Sequence, residues 1–245
     1  MTSLEPREWD SAFFGYPVAS TSFGAPPAPA DIRAAVDNAR QAGIRLLYLF
    51  MPPIDPALRH AVEREGAQAV GRKVDYSKSV RPPPAAEPGT DIALCREPTP
   101  QLEALALQSG VCSRFRVDDG FRNHEFERLY REWLASSLRG DGGKRVYIAG
   151  DATSPCGLIT VEPGAIARIG LLAVDARQRG CGWGGRLVAE AERFCHLHHY
   201  DELRVATQAE NPGACRFYES CGFLRISETE IFHAWLTPIL RKERP

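Results

Sequence analysis

A glycine-rich segment at the start of a helix constrains this 245-residue chain more than any other feature. The segment Gln178–Phe194 reads QRGCGWGGRLVAEAERF, in which four glycines lie within Gly180–Gly185. Apolar residues then recur at helical spacing over Leu187–Cys195. Glycines let a backbone turn tightly, and the first turn of a helix presents N–H groups that attract anions. The sequence therefore predicts an anion-binding loop that leads into a helix.

Two phosphate ligands fit this loop. Residues 180–185 spell G-x-G-x-x-G, which is typical of dinucleotide binding, and residues 179–184 spell R-x-x-G-x-G, which suggests coenzyme A. A dinucleotide site needs an acidic residue at the end of the next strand. Asp201 and Glu202 instead precede the strand predicted at 203–208, and only about 40 residues follow that strand, fewer than a second nucleotide-binding half needs. These two facts favour coenzyme A.

Composition excludes several classes of protein. The chain has 30 Lys and Arg against 31 Asp and Glu, a net charge of −1 that argues against nucleic-acid binding. Seven cysteines without a C-x-x-C spacing indicate free thiols and a cytoplasmic location. The histidines at 196–199 close a helix without nearby cysteine partners, so we expect no metal. The longest apolar run, 44–54, is interrupted and too short to span a membrane.

A proline-rich segment at Val80–Asp91 divides the chain into two predicted domains, 1–85 and 86–245. A β–α–β–α–β pattern precedes it, with Asp31 and Asp55 at the starts of the two helices. Strands, helices and turn residues alternate after it, which predicts an α/β fold with a mixed sheet. Predicted elements of this second part are helices at 99–109, 124–140 and 184–199, a loop at 112–121, strands at 144–150, 157–163, 167–174 and 203–208, a short helix within 211–223 and a last strand at 232–240.

The segments LLAVDARQRGCGWGGRLVAEAERF and LRVATQAENPGACRFYESCGF, at 171–194 and 203–223, together resemble the GNAT superfamily of acyl-CoA N-acetyltransferases. The resemblance implies a GNAT fold in which the R-x-x-G-x-G loop binds the pyrophosphate of acetyl-CoA. It implies that the preceding strand carries the pantetheine arm and holds the reacting carbonyl with the N–H groups of Leu172 and Val174. Residues implied in binding acetyl-CoA are Leu172, Ala173, Val174, Arg179, Gly180, Cys181, Gly182, Trp183, Gly184, Gly185, Asn211 and Tyr218.

A narrower resemblance extends towards the N-terminus. The segments EWDSAFFGYPVA, SRFR and RLYREWLASSLRG, at 8–19, 113–116 and 128–140, look like the TDP-fucosamine acetyltransferases. The resemblance implies an incomplete GNAT-like N-terminal domain without a coenzyme A site. It also implies that the acceptor is the 4-amino group of a dTDP-4-amino-4,6-dideoxyhexose. The acidic segment VDDGFRNHE, at 117–125, and a longer C-terminal tail depart from that family.

Acetyl transfer from a thioester to an amine needs a proton donor for the departing thiolate and a base for the amine. The resemblance implies that Tyr218 is the general acid. Glu162, at the end of a predicted strand, is a candidate base, and the alternative is that it is a solvated strand end. Asn211 is a candidate helix cap as well as a coenzyme A contact.

The SRFR segment is the candidate acceptor site. Arg114 and Arg116 are suited to a nucleotide diphosphate, and the ring of Phe115 to a base or sugar. The alternative is a surface loop in which the arginines pair with Asp118 and Asp119. Two other functions stay open, a GNAT enzyme acting on another small amine, such as an antibiotic or a carrier-bound intermediate, and a non-catalytic acyl-CoA-binding module. A homodimer is also left open.

Overall fold

The computed structural model describes residues 3–80 and 91–236. The predicted boundary between residues 85 and 86 lies outside the described residues, as does most of the proline-rich segment. The described chain is a mixed α/β structure, which confirms the predicted fold class.

Contacts within the chain group its residues into two compact units. Unit 1 gathers residues from three separate stretches of the chain, and unit 2 from two. The strands β4 (Ala67–Ser79) and β10 (Leu224–Trp235) each contribute residues to both. Of the described residues, unit 1 comprises 3–73, 117–122 and 228–236, and unit 2 comprises 74–80, 91–116 and 123–227.

Unit 1 is built around a parallel strand pair joined by a helix. Its strands follow the order β1-β2-β3-β10-β4, with β2 parallel to β3 and β10 antiparallel to β3. Ile32 and Val36 of the connecting helix pack with strand residues such as Leu47 and Phe232 in the core. Besides its parts of β4 and β10, the elements of unit 1 are β1 (Glu5–Pro6), α1 (Glu8–Phe14), β2 (Val18–Ser22), α2 (Pro29–Gln41), β3 (Leu46–Met51) and α3 (Pro56–Arg64).

Unit 2 contains the glycine-rich loop. Its strands follow the order β4-β9-β8-β7-β6-β5, in which β5, β6, β7 and β8 pair antiparallel and β8 pairs with β9 in parallel. Besides its parts of β4 and β10, its elements are β5 (Ile92–Cys95), α4 (Pro100–Ser109), α5 (Arg114–Val117), α6 (Glu125–Arg139), β6 (Arg145–Asp151), β7 (Ser154–Glu162), β8 (Ala167–Val174), α7 (Trp183–Leu197), β9 (Glu202–Gln208) and α8 (Pro212–Ser220).

Side-chain caps fix the starts of several helices, as the sequence predicts. The Asp55 carboxylate accepts from the Leu58 N–H at 2.8 Å, and the Thr99 hydroxyl accepts from the Leu102 N–H at 3.2 Å. The Asn211 side chain accepts from the N–H of Ala214 at 3.1 Å, which confirms its role as the cap of α8. Such caps satisfy N–H groups that have no partner within the helix.

Three predictions about local structure were wrong. Asp31 does not start its helix: Ala28 is the N-cap, and the Asp31 carboxylate accepts from the Ala28 N–H at 3.0 Å. The predicted loop 112–121 contains the one-turn helix α5. The last strand begins at Leu224, eight residues before its predicted start, and its first four residues are exposed. Its predicted residues beyond 236 lie outside the described part of the chain.

Candidate active site

The parallel strands β8 and β9 separate after three residue pairs. Ala167–Ile169 of β8 pair with Leu203–Val205 of β9, and beyond this point no pairing between the two strands is present in the described structure. Both strands continue, β8 to Val174 and β9 to Gln208. The end of β8 therefore has β7 on one side and an opening on the other.

A β-bulge in β8 accompanies this separation. Gly170 and Leu171 of β8 together face the single residue Thr160 of β7. The Leu171 N–H donates to the Thr160 hydroxyl at 2.7 Å, so the irregular backbone is satisfied by a buried side chain. Bulges bend a strand and increase its twist, which accounts for the departure of β8 from β9.

Backbone groups of β8 point into the opening. The N–H of Asp175, just after β8, donates to the Cys156 carbonyl of β7 at 2.7 Å. The N–H and C=O of one strand residue point to the same side, and this side alternates along the strand. Leu172 and Val174 therefore direct their N–H and C=O groups away from β7. The Val174 carbonyl accepts from the Gln108 side chain at 2.8 Å.

The glycine-rich loop brings the start of α7 close to this strand end. Gly182 is the N-cap of α7 at φ 82°, a left-handed conformation that favours glycine, and no side chain caps the helix. A Cβ at Gly184 would lie 2.8 Å from a ring carbon of Phe217, so α7 and α8 pack closely there. Arg179 is exposed at the start of the loop. The first N–H groups of α7 are thus available for an anion.

One cavity of about 610 Å³ in unit 2 collects most of the predicted acetyl-CoA-binding residues. It is lined by the end of β8, the glycine-rich loop and the starts of α7 and α8. All the predicted residues except Cys181 line it, including Asn211 and Tyr218. Cys181 is exposed, and its Sγ lies 3.9 Å from the Arg179 carbonyl oxygen.

Tyr218 lines this cavity from α8 and is otherwise enclosed. Its residue is 6% exposed, and its ring lies 6.0, 5.4 and 5.7 Å from the ring centroids of Tyr76, Phe217 and Phe223. Burial raises the pKa of Tyr218 above its usual value. A tyrosine is protonated at neutral pH even at its usual pKa of about 10, so the buried phenol is able to donate a hydrogen bond.

The candidate base lies apart from this group. Glu162 ends β7, does not line the cavity, and has a side chain that is 36% exposed. Its carboxylate lies 3.8 Å from the Lys144 ammonium. The structure thus brings together the predicted donor-binding residues and Tyr218 but not Glu162.

The three residues of the candidate acceptor site also lie outside the cavity lining. The Arg114 guanidinium lies 4.5 Å above the ring of Phe115, which is buried and packs edge-on against Trp133. Arg116 forms an ion pair with Glu127 at 3.1 Å. These contacts place the segment on and beside α6.

Asp118 does not belong to a surface loop of ion pairs, which corrects that alternative. It is buried in unit 1, where its carboxylate lies 2.5 Å from Nδ1 of His233 and accepts from the Trp235 indole N–H at 3.0 Å. Burial alone would raise the pKa of Asp118. The hydrogen bond and charge of His233, with donors from Gly120 and Trp235, hold that pKa below its usual value.

The sequence did not single out the cavity-lining residues at the end of α4 and in the turn after it. Gln108, Ser109 and Val111 line it. Gln101 and Gln108 are two helical turns apart and therefore share a face of α4. Gln101 donates to the Asp175 carboxylate at 3.3 Å, so both glutamines reach the end of β8. The seven-residue spacing of these two glutamines was the sequence signal that could have placed them on one face of the helix.

Among residues 3–80 and 91–236, no cluster of three or more His, Cys, Asp or Glu side chains could hold a metal ion. No helix in that part of the chain is long and apolar enough to cross a membrane. The seven cysteines are free thiols.

Comparison with known proteins relates this geometry to a family. The Acetyltransferase (GNAT) family model matches residues 109–223, which include the loop, β8, β9 and α8. The dTDP-fucosamine acetyltransferase of Escherichia coli O6:H1 is 26% identical over 223 residues, covering 90% of this chain and 92% of that protein.

Solved structures share the fold at low sequence identity. A conserved protein of unknown function from Staphylococcus epidermidis matches with a TM-score of 0.64 and 14% identity, over 89% of this chain and 85% of that chain. A GCN5-related N-acetyltransferase from Sphaerobacter thermophilus matches with a TM-score of 0.57 and 15% identity, over 91% and 74%. Residues 109–223 match the GNAT acetyltransferase family, and the protein is an acyl-CoA-dependent N-acetyltransferase.

Proposed function

We propose that the protein transfers the acetyl group of acetyl-CoA to the amino group of a dTDP-4-amino-4,6-dideoxyhexose. The observation that carries the transfer chemistry is the opening between β8 and β9, which meets the glycine-rich loop and Tyr218 in one cavity. The nature of the acceptor is supported by the similarity to dTDP-fucosamine acetyltransferase, which extends over 90% of the chain. Unit 1 is proposed to be the incomplete GNAT-like half, without a donor site of its own.

The donor is proposed to bind with its pyrophosphate at the start of α7. The uncapped N–H groups of the first turn and the positive end of the helix dipole favour an anion there. Arg179 adds a positive charge. The pantetheine arm then lies along β8, where the N–H and C=O groups of Leu172 and Val174 provide the hydrogen bonds that β9 does not.

The amine attacks the thioester carbonyl directly in this proposal. A C–N bond forms, and the N–H groups of Leu172 and Val174 stabilise the negative charge that develops on the carbonyl oxygen. The C–S bond then breaks, and the Tyr218 hydroxyl donates its proton to the departing thiolate. The surplus proton on the nitrogen passes to a base, for which Glu162 is the candidate, directly or through water.

The acceptor is proposed to contact the segment of Arg114, Phe115 and Arg116. Guanidinium groups bind diphosphates through paired hydrogen bonds. Arg116 is held by Glu127 in the described structure, so a diphosphate would compete with that carboxylate. Arg114 stacks on Phe115, which orients its guanidinium plane.

The test is a free-thiol assay with acetyl-CoA and a panel of amines. The panel contains dTDP-linked amino sugars, the same sugars without the nucleotide, and aminoglycosides. The highest kcat/KM is expected for a dTDP-linked 4-amino-4,6-dideoxyhexose. An unrelated amine with a higher kcat/KM than every nucleotide sugar would overturn the acceptor and leave the transfer chemistry standing.

Two binding measurements complete the test. Calorimetry should show saturable binding of acetyl-CoA, and NADH should show none. Acetyl-CoA binding without thiol release from any amine would indicate a non-catalytic binding module. Saturable NADH binding would instead restore the dinucleotide interpretation of the loop.

A further inference from the structure

The separation of β8 from β9 removes a hydrogen-bond partner from the Val174 carbonyl. This carbonyl points to the open side of β8, where a paired β9 would have supplied an N–H donor. Backbone carbonyls in a protein interior are nearly always satisfied, and an unsatisfied one destabilises the arrangement that exposes it. The opening therefore needs a substitute donor.

Two side chains supply that donor. The Gln108 amide donates to the Val174 carbonyl at 2.8 Å, an ordinary strong distance, and the Arg179 guanidinium donates at 3.4 Å, which is weak. Gln108 comes from α4, which packs against β7 and β8, and it lines the cavity together with Val174. Gln101, two turns earlier on the same face, holds the next residue, Asp175.

From these contacts we infer that Gln108 is a positioning residue, which keeps the end of β8 separated from β9 and oriented for the donor. The inference rests on the proposed use of β8 as the pantetheine platform. Arg179 is proposed to bind the pyrophosphate, which leaves Gln108 as the protein's own donor to the Val174 carbonyl in the complex. A carbonyl oxygen has two lone pairs, so Gln108 occupies one and leaves the other for the pantetheine amide.

The experiment compares Gln108→Met with the parent in binding two probes. Methionine is unbranched and of similar length, so it fills the same space without a donor. Coenzyme A contacts both the loop and β8 in the proposed complex, whereas 3′-phosphoadenosine 5′-diphosphate carries the adenosine and phosphates without the pantetheine arm that lies along β8. The Kd for coenzyme A is expected to rise about tenfold, the scale of one lost hydrogen bond to a half-buried carbonyl, and the Kd for the diphosphate to change less than about twofold.

Selective weakening of this kind distinguishes positioning from a general structural role. Equal weakening of both probes would show that Gln108 merely supports the fold, and no change in either would show that it has no role; both overturn the inference. The control is Glu103→Leu on the same helix, where an exposed ion pair with Arg131 is lost and both Kd values should stay within about twofold. If the parent itself fails to bind coenzyme A, the proposed function fails instead.

Kinetics provide a second readout. Gln108→Met is expected to raise the KM for acetyl-CoA and lower kcat, because both the arm and the carbonyl depend on the orientation of β8. The KM for the amine should change little. An unchanged KM for acetyl-CoA together with a raised KM for the amine would place Gln108 in the acceptor site and contradict the positioning role.

Discussion

Each unit contains a parallel strand pair joined by a helix, and the two pairs differ in how far they stay paired. In unit 1, β2 and β3 stay paired from Val18–Leu46 to Ser22–Phe50. In unit 2, β8 and β9 stay paired for three residues and then separate beside the bulge at Thr160. The comparison indicates that a β–α–β unit alone does not open a sheet, and that the interrupted pairing of β8 with β9 does.

The helices that connect the two strand pairs, α2 and α7, also differ in how their first N–H groups are satisfied. The first turn of α2 follows Pro26 and Pro27, and the Asp31 carboxylate accepts from the N–H of Ala28. At α7 the N-cap is Gly182, and no side chain accepts from the first turn. An acidic group at the start of α2 disfavours an anion there, whereas the start of α7 leaves its N–H groups and dipole to a ligand.

Tyr218→Phe should have the largest effect among the substitutions that compare unit 2 with unit 1. The ring stays, so acetyl-CoA should bind with little change in KM, while the loss of the proton donor lowers kcat by roughly 100- to 10,000-fold. Steady-state kinetics with chemistry rate-limiting provide the measurement. Tyr48→Phe, in a buried tyrosine of unit 1, is the matched control, with kcat within about twofold. A kcat within about threefold of the parent for Tyr218→Phe would remove the general-acid role.

Gly182→Asp should have the next largest effect. It puts a side chain on a left-handed residue and a negative charge at the proposed pyrophosphate site, so the Kd for acetyl-CoA should rise by about 100-fold or more. Gly43→Asp in unit 1 is the control, because Gly43 has φ 75° and no atom near its would-be Cβ. Calorimetry measures both. Equal Kd values for Gly182→Asp and Gly43→Asp would show that the loop is not the phosphate site.

Thr160→Val tests whether the bulge maintains the opening. The isosteric change leaves the Leu171 N–H without its acceptor, which should cost ~1–3 kcal/mol of unfolding free energy and lower kcat/KM about tenfold. Thr21→Val, in a buried threonine of the fully paired β2, should leave kcat/KM within about twofold. Denaturant unfolding and steady-state kinetics check the two quantities. A loss of stability with unchanged kcat/KM would separate the bulge from the activity.

Asp118→Asn should have the smallest effect on acetyl-CoA binding. The pKa of Asp118 is lowered in the folded state, so its carboxylate stabilises unit 1 above the unfolded pKa of about 4, and this stability is lost as pH falls through the lower folded pKa. The variant should be less stable than the parent near pH 7 and differ less from it near pH 3. Thermal unfolding across this range measures the difference. A Kd for acetyl-CoA that changed more than about twofold would give Asp118 a role beyond unit 1.

Much of the fold could be predicted from the sequence because the necessary signals are local. Thr99 and Asn211 each accept from an N–H group only three residues further along the chain. The apolar face of α7 follows from the spacing of apolar residues within the helix itself. The start of β10 was missed because the polar residues 227–230 follow Leu224 and Ile226, so the segment lacks the apolar run that marks a buried strand.

The parts of the site that were not predicted depend on contacts between distant residues. The Thr160–Leu171 bond spans 11 residues and the Gln108–Val174 bond spans 66, and neither leaves a pattern in either segment alone. The buried pairing of Asp118 with His233 spans 115 residues, so the acidic segment at 117–125 resembled a surface insert. Only the assembled strands reveal which of these side chains meet.

The opened end of β8 has a consequence for how this enzyme tolerates mutation over evolution. The groups proposed to hold the donor there are main-chain amides, which every amino acid except proline supplies. The side chains at Leu172 and Val174 can therefore change with the packing around them while the backbone groups proposed to bind the donor stay the same. A proline at either position would remove an N–H group, so selection should act against it. Distant relatives are therefore expected to keep the backbone conformation of β8 although its side chains differ.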